Sequence, residues 1–228
     1  MTPIDIASAA IFTLCWLFYE ALLRRVSGAR GSLNQDMGTI RVAWMRRLVE
    51  RDNRIADSSL VGHLLNSASF FASTNLLVIA AVMGVLFGGE AMLSNLRDIS
   101  IFGAAPDWLL EVKIGLVAVT LTRGLLDFIW AIRQLNYCVA LIGAAPNAGE
   151  PQSAAYAEAL GEVLTPALSA FNRGVRAYYF ALGAAAWLVS PWAMGLAAIA
   201  AFALLARRQI ASGAALGVRK ARNILAQD

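Results

Sequence analysis

Apolar residues occur along this chain in long runs that are separated by polar stretches. A helix that crosses a bilayer needs about 20 consecutive, mostly apolar residues. By that criterion the pattern predicts spans at about residues 4–23, 67–88, 112–132, 175–190 and 192–207. We therefore predict an all-α fold, a polytopic membrane bundle of four to five transmembrane helices that forms a single membrane domain over residues 1–228.

The last apolar block, residues 175–206, is too long for one ordinary span and is interrupted at Pro191. It can form one long kinked helix or a hairpin of two arms of about 16–18 residues, near the lower limit for spanning. Basic residues concentrate on the cytoplasmic side of membrane proteins. The C-terminal tail carries five of them, which favours the hairpin, with the C-terminus inside and the N-terminus outside: Arg207, Arg208, Arg219, Lys220 and Arg222.

Two polar stretches predict cytoplasmic helices, at about residues 36–51 and 153–168. In the first, apolar residues recur every three or four positions from Met37 to Leu48, and arginines occupy the other faces. An amphipathic helix with a basic face binds readily to an anionic membrane surface. We expect this helix to lie on the anionic lipids of the inner leaflet.

The second cytoplasmic helix is predicted to be interrupted at Pro166, because proline removes a backbone donor and disfavours a helix interior. Acidic residues in and before this helix can meet the arginines of the first cytoplasmic loop. These acids are Glu150, Glu158 and Glu162.

Composition supports a membrane protein. Hydrophobic residues make up 59% of the chain and charged residues 15%, whereas soluble domains have about 45–50% and about 25%. The net charge of +4 requires no nucleic-acid partner, because the basic residues lie in predicted cytoplasmic loops. Eight of the 19 lysines and arginines fall between residues 24 and 66: Arg24, Arg25, Arg30, Arg41, Arg46, Arg47, Arg51 and Arg54.

The third span carries charge at membrane depth. A charged side chain at the bilayer centre costs at least about 2.5 kcal/mol, so it needs a partner or a watery cavity. Arg123 and Asp127 are four residues apart, which places them on one helical face and allows an intrahelical pair. Lys113 and Arg133 lie near the two membrane surfaces. The pair can serve packing and assembly, or permeation and gating.

The first half of the second span is unusually polar. Its polar side chains can form hydrogen bonds between helices, or they can line a path for water or ions. The residues in question are Asn66, Ser69, Ser73 and Asn75. Near the inner interface the chain groups further basic residues, and rings of arginine in a symmetric assembly would favour anions. These inner-interface residues are Arg133, Arg173 and Arg176.

Few residues of this chain are of the types that bind metals or cofactors. The chain contains one histidine and two cysteines, and we interpret Cys15 and Cys138 as apolar packing residues. No zinc-protease motif, nucleophile elbow or phosphate-binding loop is present. We therefore expect no cofactor, no metal site and no enzymatic activity.

Several stretches, taken together, resemble the bacterial and plant membrane family known as domain of unknown function 599. In chain order they are RDNRIAD at residues 51–57, SFFAST at 69–74, RQLNYC at 133–138, LIGAAP at 141–146, FNRGVRAYYF at 171–180 and Pro191-Trp192. The resemblance covers about residues 41–208. It implies a helical membrane protein and carries no established activity. Separately, we expect the chain to lie in the bacterial inner (plasma) membrane.

Two functions remain as hypotheses. One is an oligomeric channel or transporter for small ions, with anions as one option. The other is a non-catalytic membrane scaffold or accessory subunit of a larger complex. In both cases the expected partners are the lipid bilayer, anionic lipids of the inner leaflet and further copies of the chain.

Overall fold

A computed structural model describes residues 2–88 and 106–227 of the chain, and this part is helical without a β-strand. The prediction of an all-α fold is confirmed. Two short 3-10 helices, Gly28–Arg30 and Ala186–Leu188, accompany the α-helices. The α-helices are α1 (Pro3–Leu17), α2 (Tyr19–Ser27), α3 (Leu33–Val49), α4 (Ile55–Phe87), α5 (Asp107–Gly143), α6 (Ser153–Ala185), α7 (Pro191–Ala211) and α8 (Gly213–Leu225).

Within the described residues, three helical stretches are long and apolar enough to cross a membrane: Ile55–Phe87, Trp108–Gly143 and Pro191–Leu225. A fourth is added if the bent pair α1 and α2 counts as one span. Helices of 33 and 36 residues are about 50 Å long, well beyond the roughly 30 Å of a hydrocarbon core. The chain is therefore a membrane protein, and α4 and α5 are longer than the spans predicted within them.

The first predicted span is not one straight helix. The chain bends by 73° between α1 and α2, at Phe18. The N-terminus of α1 is capped by a capping box. Asp5 Oδ2 accepts a hydrogen bond from the Thr2 backbone N–H, and Thr2 Oγ1 accepts one from the Asp5 backbone N–H. The 15 residues of α1 are about 22 Å long, whereas a straight helix over the predicted span of residues 4–23 would be about 30 Å long.

The expected interruption at Pro166 is wrong. Helix α6 runs through Pro166 for 33 residues, so it unites the predicted cytoplasmic helix and the first arm of the hairpin. Proline removes only one backbone donor and bends a helix without necessarily ending it. Buried side chains on either side, Leu164 and Ala167, hold the helix in place by packing.

The predicted helical break at Pro191 is confirmed, whereas a membrane crossing by the first arm of the hairpin stays a prediction, because the candidate spans found in the described residues do not include α6. Helix α6 ends at Ala185, and α7 begins at Pro191, where Ser190 Oγ accepts from the Ala193 N–H at 3.0 Å. A Cβ on Gly183 would lie 3.8 Å from the Cα of Ala198. In one continuous helix, residues this far apart in sequence would be about 22 Å apart. The chain therefore folds back on itself.

Contacts divide the chain into two compact units. The first unit comprises the described residues of Met1–Val26, Ser73–Leu126 and Gly174–Ala206. Its interior contains edge-to-face aromatic pairs, among them Phe12 with Phe180 and Tyr19 with Phe202. Small residues allow close helix contact, since a Cβ on Gly124 would lie 2.6 Å from that of Ala177.

The second unit comprises the described residues of Ser27–Ala72, Asp127–Arg173 and Arg207–Asp228. Buried side chains of α3, α4, α5 and α6 form its apolar core, including Met45, Val61, Leu135 and Leu160. Helix α3 runs antiparallel to the first half of α6: contacts join residues 38 and 165, 42 and 161, and 46 and 158.

Candidate functional site

Asp127 of α5 has an oppositely charged partner on another helix. In the second unit, Arg173 Nε of α6 donates to Asp127 Oδ1 at 2.9 Å. Asp127 is 9% exposed, and the Arg173 side chain is 35% exposed. The proposed intrahelical pair between Asp127 and Arg123 stays a prediction; Arg123 is exposed on the surface of α5.

The other two inner-interface arginines lie in different surroundings. In the first unit, Arg176 Nη1 donates to Glu20 Oε1 at 2.8 Å, and its guanidinium carbon lies 4.0 Å from the centre of the Tyr19 ring. In the second unit, Arg133 is exposed, and its Nη2 is 3.3 Å from the Tyr137 hydroxyl. Arg176 is therefore neutralised by a carboxylate, as Arg173 is, whereas Arg133 contacts a neutral group.

The polar residues of α4 fall into two groups. Asn75 is buried in the first unit, and its Nδ2 donates to the backbone oxygen of Leu121 on α5 at 2.9 Å. This is the interhelical hydrogen bond that one interpretation of the sequence predicted. Asn66 and Ser73 are exposed, and Ser69 is half-buried. Their side chains therefore lie at or near the surface of the chain.

A buried polar cluster in the first unit was not predicted. Trp187 Nε1 donates to Asp5 Oδ1 at 2.9 Å, and Lys113 Nζ lies 5.8 Å from the centre of the Trp187 ring. All three side chains are buried. Sequence reasoning treated Lys113 as a residue near the membrane surface, because spacing alone cannot reveal a tryptophan that is distant in sequence.

A second unpredicted cluster joins α3 to α8. Asp36 is 1% exposed and pairs with Arg222 Nη1 and, at 3.4 Å, with Arg219 Nε. One carboxylate thus faces two guanidinium groups. Arg46 Nε also donates to Glu158 Oε1 at 2.8 Å, which confirms the expected contact between an acid of residues 153–168 and an arginine of residues 24–66.

Arg41 of α3 differs from the other arginines of that helix. It is 5% exposed, and its Nε and Nη1 are buried without a hydrogen-bond acceptor in the described part of the chain. Burial lowers the pKa of Arg41 to about 10, because desolvation disfavours the charged form. The basic face of α3 is therefore partly turned inward, and Arg41 is not an exposed membrane-binding residue.

Residues 51–57, which carry part of the family resemblance, form a corner between α3 and α4. Asp57 is buried and accepts from Trp44 Nε1 at 2.7 Å and from Arg51 Nη1 at 2.7 Å. Arg54 donates to the backbone oxygens of Ala145 and Pro146. The charged residues of this motif are thus used to connect helices, which explains their density without a bound ion.

A family model supports the resemblance in sequence. The model of the family described as "Protein of unknown function, DUF599" matches residues 7–214. No curated protein and no solved structure matches the chain at a significant level. The match extends over nearly the entire chain, from α1 to the start of α8. The chain therefore belongs to the DUF599 family of unknown function.

Proposed function

We propose that this protein assembles into homo-oligomers that let small ions cross the membrane. One observation carries the proposal. Helix α4 is the most apolar of the candidate spans, yet only 6% of its most apolar 18-residue stretch is buried within the chain. The exposed face of the same helix carries Asn66 and Ser73.

An exposed amide and hydroxyl on a membrane helix need hydrogen-bond partners that hydrocarbon cannot supply. Water in a path between several copies would supply them. Exposed Arg133 would make the inner end of such a path attractive to anions. Arg173 and Arg176 contribute less to this field, because each already pairs with a carboxylate.

Ion flux into proteoliposomes tests the proposal. Purified protein should dissipate an imposed gradient of chloride or potassium, and the ratio of the two rates would report selectivity. Replacement of Arg133 by Gln should lower the chloride rate relative to the potassium rate. The proposal is refuted if neither ion moves faster than in protein-free liposomes across a range of protein densities.

A membrane scaffold or accessory subunit is the second candidate. The partners of the chain's polar groups favour it: Asp127 forms an ion pair with Arg173, and Asp5 accepts a hydrogen bond from Trp187, whose ring lies near Lys113. Groups that neutralise one another inside the chain hold a fold together and do not bind a passing ion. Purification of the tagged protein from its native membrane in a mild detergent tests this function. A stoichiometric complex with other proteins would support it, and recovery of the chain alone would oppose it.

The proposed location is the bacterial inner membrane, with the N-terminus outside and the C-terminus in the cytoplasm. Arg207 and Arg208 near the end of α7 support this orientation through the positive-inside rule. Labelling of a cysteine introduced after α8 by an impermeant maleimide tests it. The cysteine should react in inverted vesicles and stay unreacted in intact spheroplasts.

A further inference from the structure

Helix α2 runs across the direction of a candidate membrane span. In the first unit, α1 lies alongside α7: a Cβ on Gly195 would lie 3.3 Å from Ser8 Oγ, and the rings of Tyr19 and Phe202 are 5.6 Å apart. Phe202 lies near the inner end of the predicted span 192–207. At this level the chain bends by 73° from α1 into α2. A helix that crosses a span at so large an angle runs close to the plane of the membrane.

One side of α2 is fixed to the first unit. Tyr19 and Leu23 are four residues apart and buried. Arg176 of α6 donates to the carboxylate of Glu20 and lies against the Tyr19 ring. These contacts hold α2 at its angle to α1. They also neutralise Glu20, which leaves the other charged residues of α2 as its net charge.

The remaining sides of α2 differ in polarity. Phe18, Leu22 and Val26 recur every four residues, and the Leu22 N–H donates to the Phe18 backbone oxygen at 2.9 Å, so the three side chains form one stripe. Phe18 and Val26 are more than half exposed. Arg24 and Arg25 are exposed as well, and Arg24 points about 160° away from Val26. Helix α2 therefore has an apolar flank and a basic flank, and both are exposed.

The arginines of α2 and α3 differ in their surroundings. Helix α3 contains three arginines, of which Arg41 is buried, while Arg46 and Arg47 each pair with a glutamate. Arg25 is exposed and has no carboxylate partner within the described residues. The uncompensated positive charge of this basic region thus lies on α2, although the sequence suggested α3.

We propose that α2 lies in the headgroup layer of the inner leaflet and binds anionic phospholipids. The apolar stripe of Phe18, Leu22 and Val26 enters the boundary of the acyl chains, as the apolar face of an interfacial helix does. Arg25, with Arg24 beside it, meets the lipid phosphates, since basic residues at a membrane surface attract anionic headgroups. The inference goes beyond the proposed function and requires neither ion flux nor an oligomer. Labelling of the C-terminal tail tests the choice of leaflet separately.

The depth of the two flanks can be measured with spin labels. In a chain whose two native cysteines are replaced by Ala, labels are attached to Val26→Cys and, as the matched control, to Arg24→Cys. The label at residue 26 should collide with oxygen, which concentrates in lipid, and the label at residue 24 with a water-soluble nickel chelate. Equal access of the chelate to both labels would place α2 in water and overturn the proposal. Exclusion of both reagents from both labels would indicate a covering protein and overturn it too.

Lipid selectivity is measured by native mass spectrometry in detergent. The protein is titrated with phosphatidylglycerol and, for comparison, with phosphatidylcholine. Arg25→Gln should weaken the binding of phosphatidylglycerol by about fivefold, the effect of one charge at a membrane surface, and Arg25→Lys should retain most of the affinity. Arg47→Gln is the control, because Arg47 is exposed but already pairs with Glu50, and it should bind as the wild type does. Unchanged binding by Arg25→Gln, or an equal loss in Arg47→Gln, would refute a lipid site on α2.

Discussion

Arg173 Nε donates to Asp127 Oδ1 at 2.9 Å, and the two residues lie on different helices, α6 and α5, 46 positions apart in sequence. This ion pair joins two helices of the second unit. It gives Asp127 a fixed partner next to an apolar core. Asp127 therefore has a structural role in the second unit.

Loss of this pair should destabilise the protein. Removing one member of a buried pair costs about 3–5 kcal/mol, and partial exposure of Arg173 reduces the expected cost of Asp127→Ala to about 1–3 kcal/mol. A double-mutant cycle with Arg173→Ala, followed by thermal unfolding in detergent, measures the coupling. The exposed pair Arg46 and Glu158 serves as a control and should couple by less than about 1 kcal/mol. Strictly additive effects at Asp127 and Arg173 would contradict the prediction.

Alanine at Gly124 should destabilise the first unit. Its Cβ would lie 2.6 Å from that of Ala177 and 3.3 Å from the backbone oxygen of Gly174, so the two helices must separate. We expect a loss of about 1–3 kcal/mol, typical of overpacking. Gly62 is the matched control, because no atom lies within 4 Å of its Cβ position. There alanine should stabilise the helix, by up to about 1 kcal/mol. Equal melting temperatures of the two variants would refute the argument.

The hydrogen bond from Trp187 to Asp5 should contribute measurably to stability. Trp187→Phe keeps most of the apolar contact but leaves a buried carboxylate oxygen without its donor, which costs about 1–3 kcal/mol. Trp192 is exposed, and Trp192→Phe should leave the unfolding temperature nearly unchanged. An unfolding temperature of the Trp187 variant equal to that of the wild type would show that the bond contributes little.

Arg41→Met should leave the second unit as stable or make it more stable at neutral pH. Replacement of a buried charge by an apolar side chain of similar length is often neutral or stabilising by about 1–4 kcal/mol. The same change at exposed Arg47 should have little effect. A clear loss of stability in the Arg41 variant would instead indicate that its guanidinium binds an acceptor that the protein needs.

The pH dependence of the same variant provides a second measurement. The pKa of Arg41 is lowered to about 10 in the folded protein from 12.5. Between these values the unfolded chain binds more protons, so stability rises with pH. Below pH 10 the guanidinium of Arg41 is charged in both states, so the full cost of burying this charge lowers the stability of the wild type. The difference in unfolding free energy between Arg41→Met and the wild type should therefore shrink as the pH rises above 10, and a constant difference would contradict this cause.

The sequence alone was sufficient for the all-α fold class, the presence of long apolar helices and the helical break at Pro191. Each of these follows from local patterns: the length of an apolar run, the helical period and the missing donor of proline. The same local rule failed at Pro166. There tertiary packing around Leu164 and Ala167 keeps the helix continuous, and the sequence contains no signal of that packing.

Partners of the charged residues were decided by tertiary structure. A spacing of four residues indicates a neighbour on the same helix, as for Arg123 and Asp127, but it cannot indicate Arg173 on another helix. Likewise, the sequence placed Asn66, Ser73 and Asn75 in one polar group. Only the packing of α4 against α5 separated buried Asn75 from the two exposed residues, because burial depends on which face of a helix its neighbours cover.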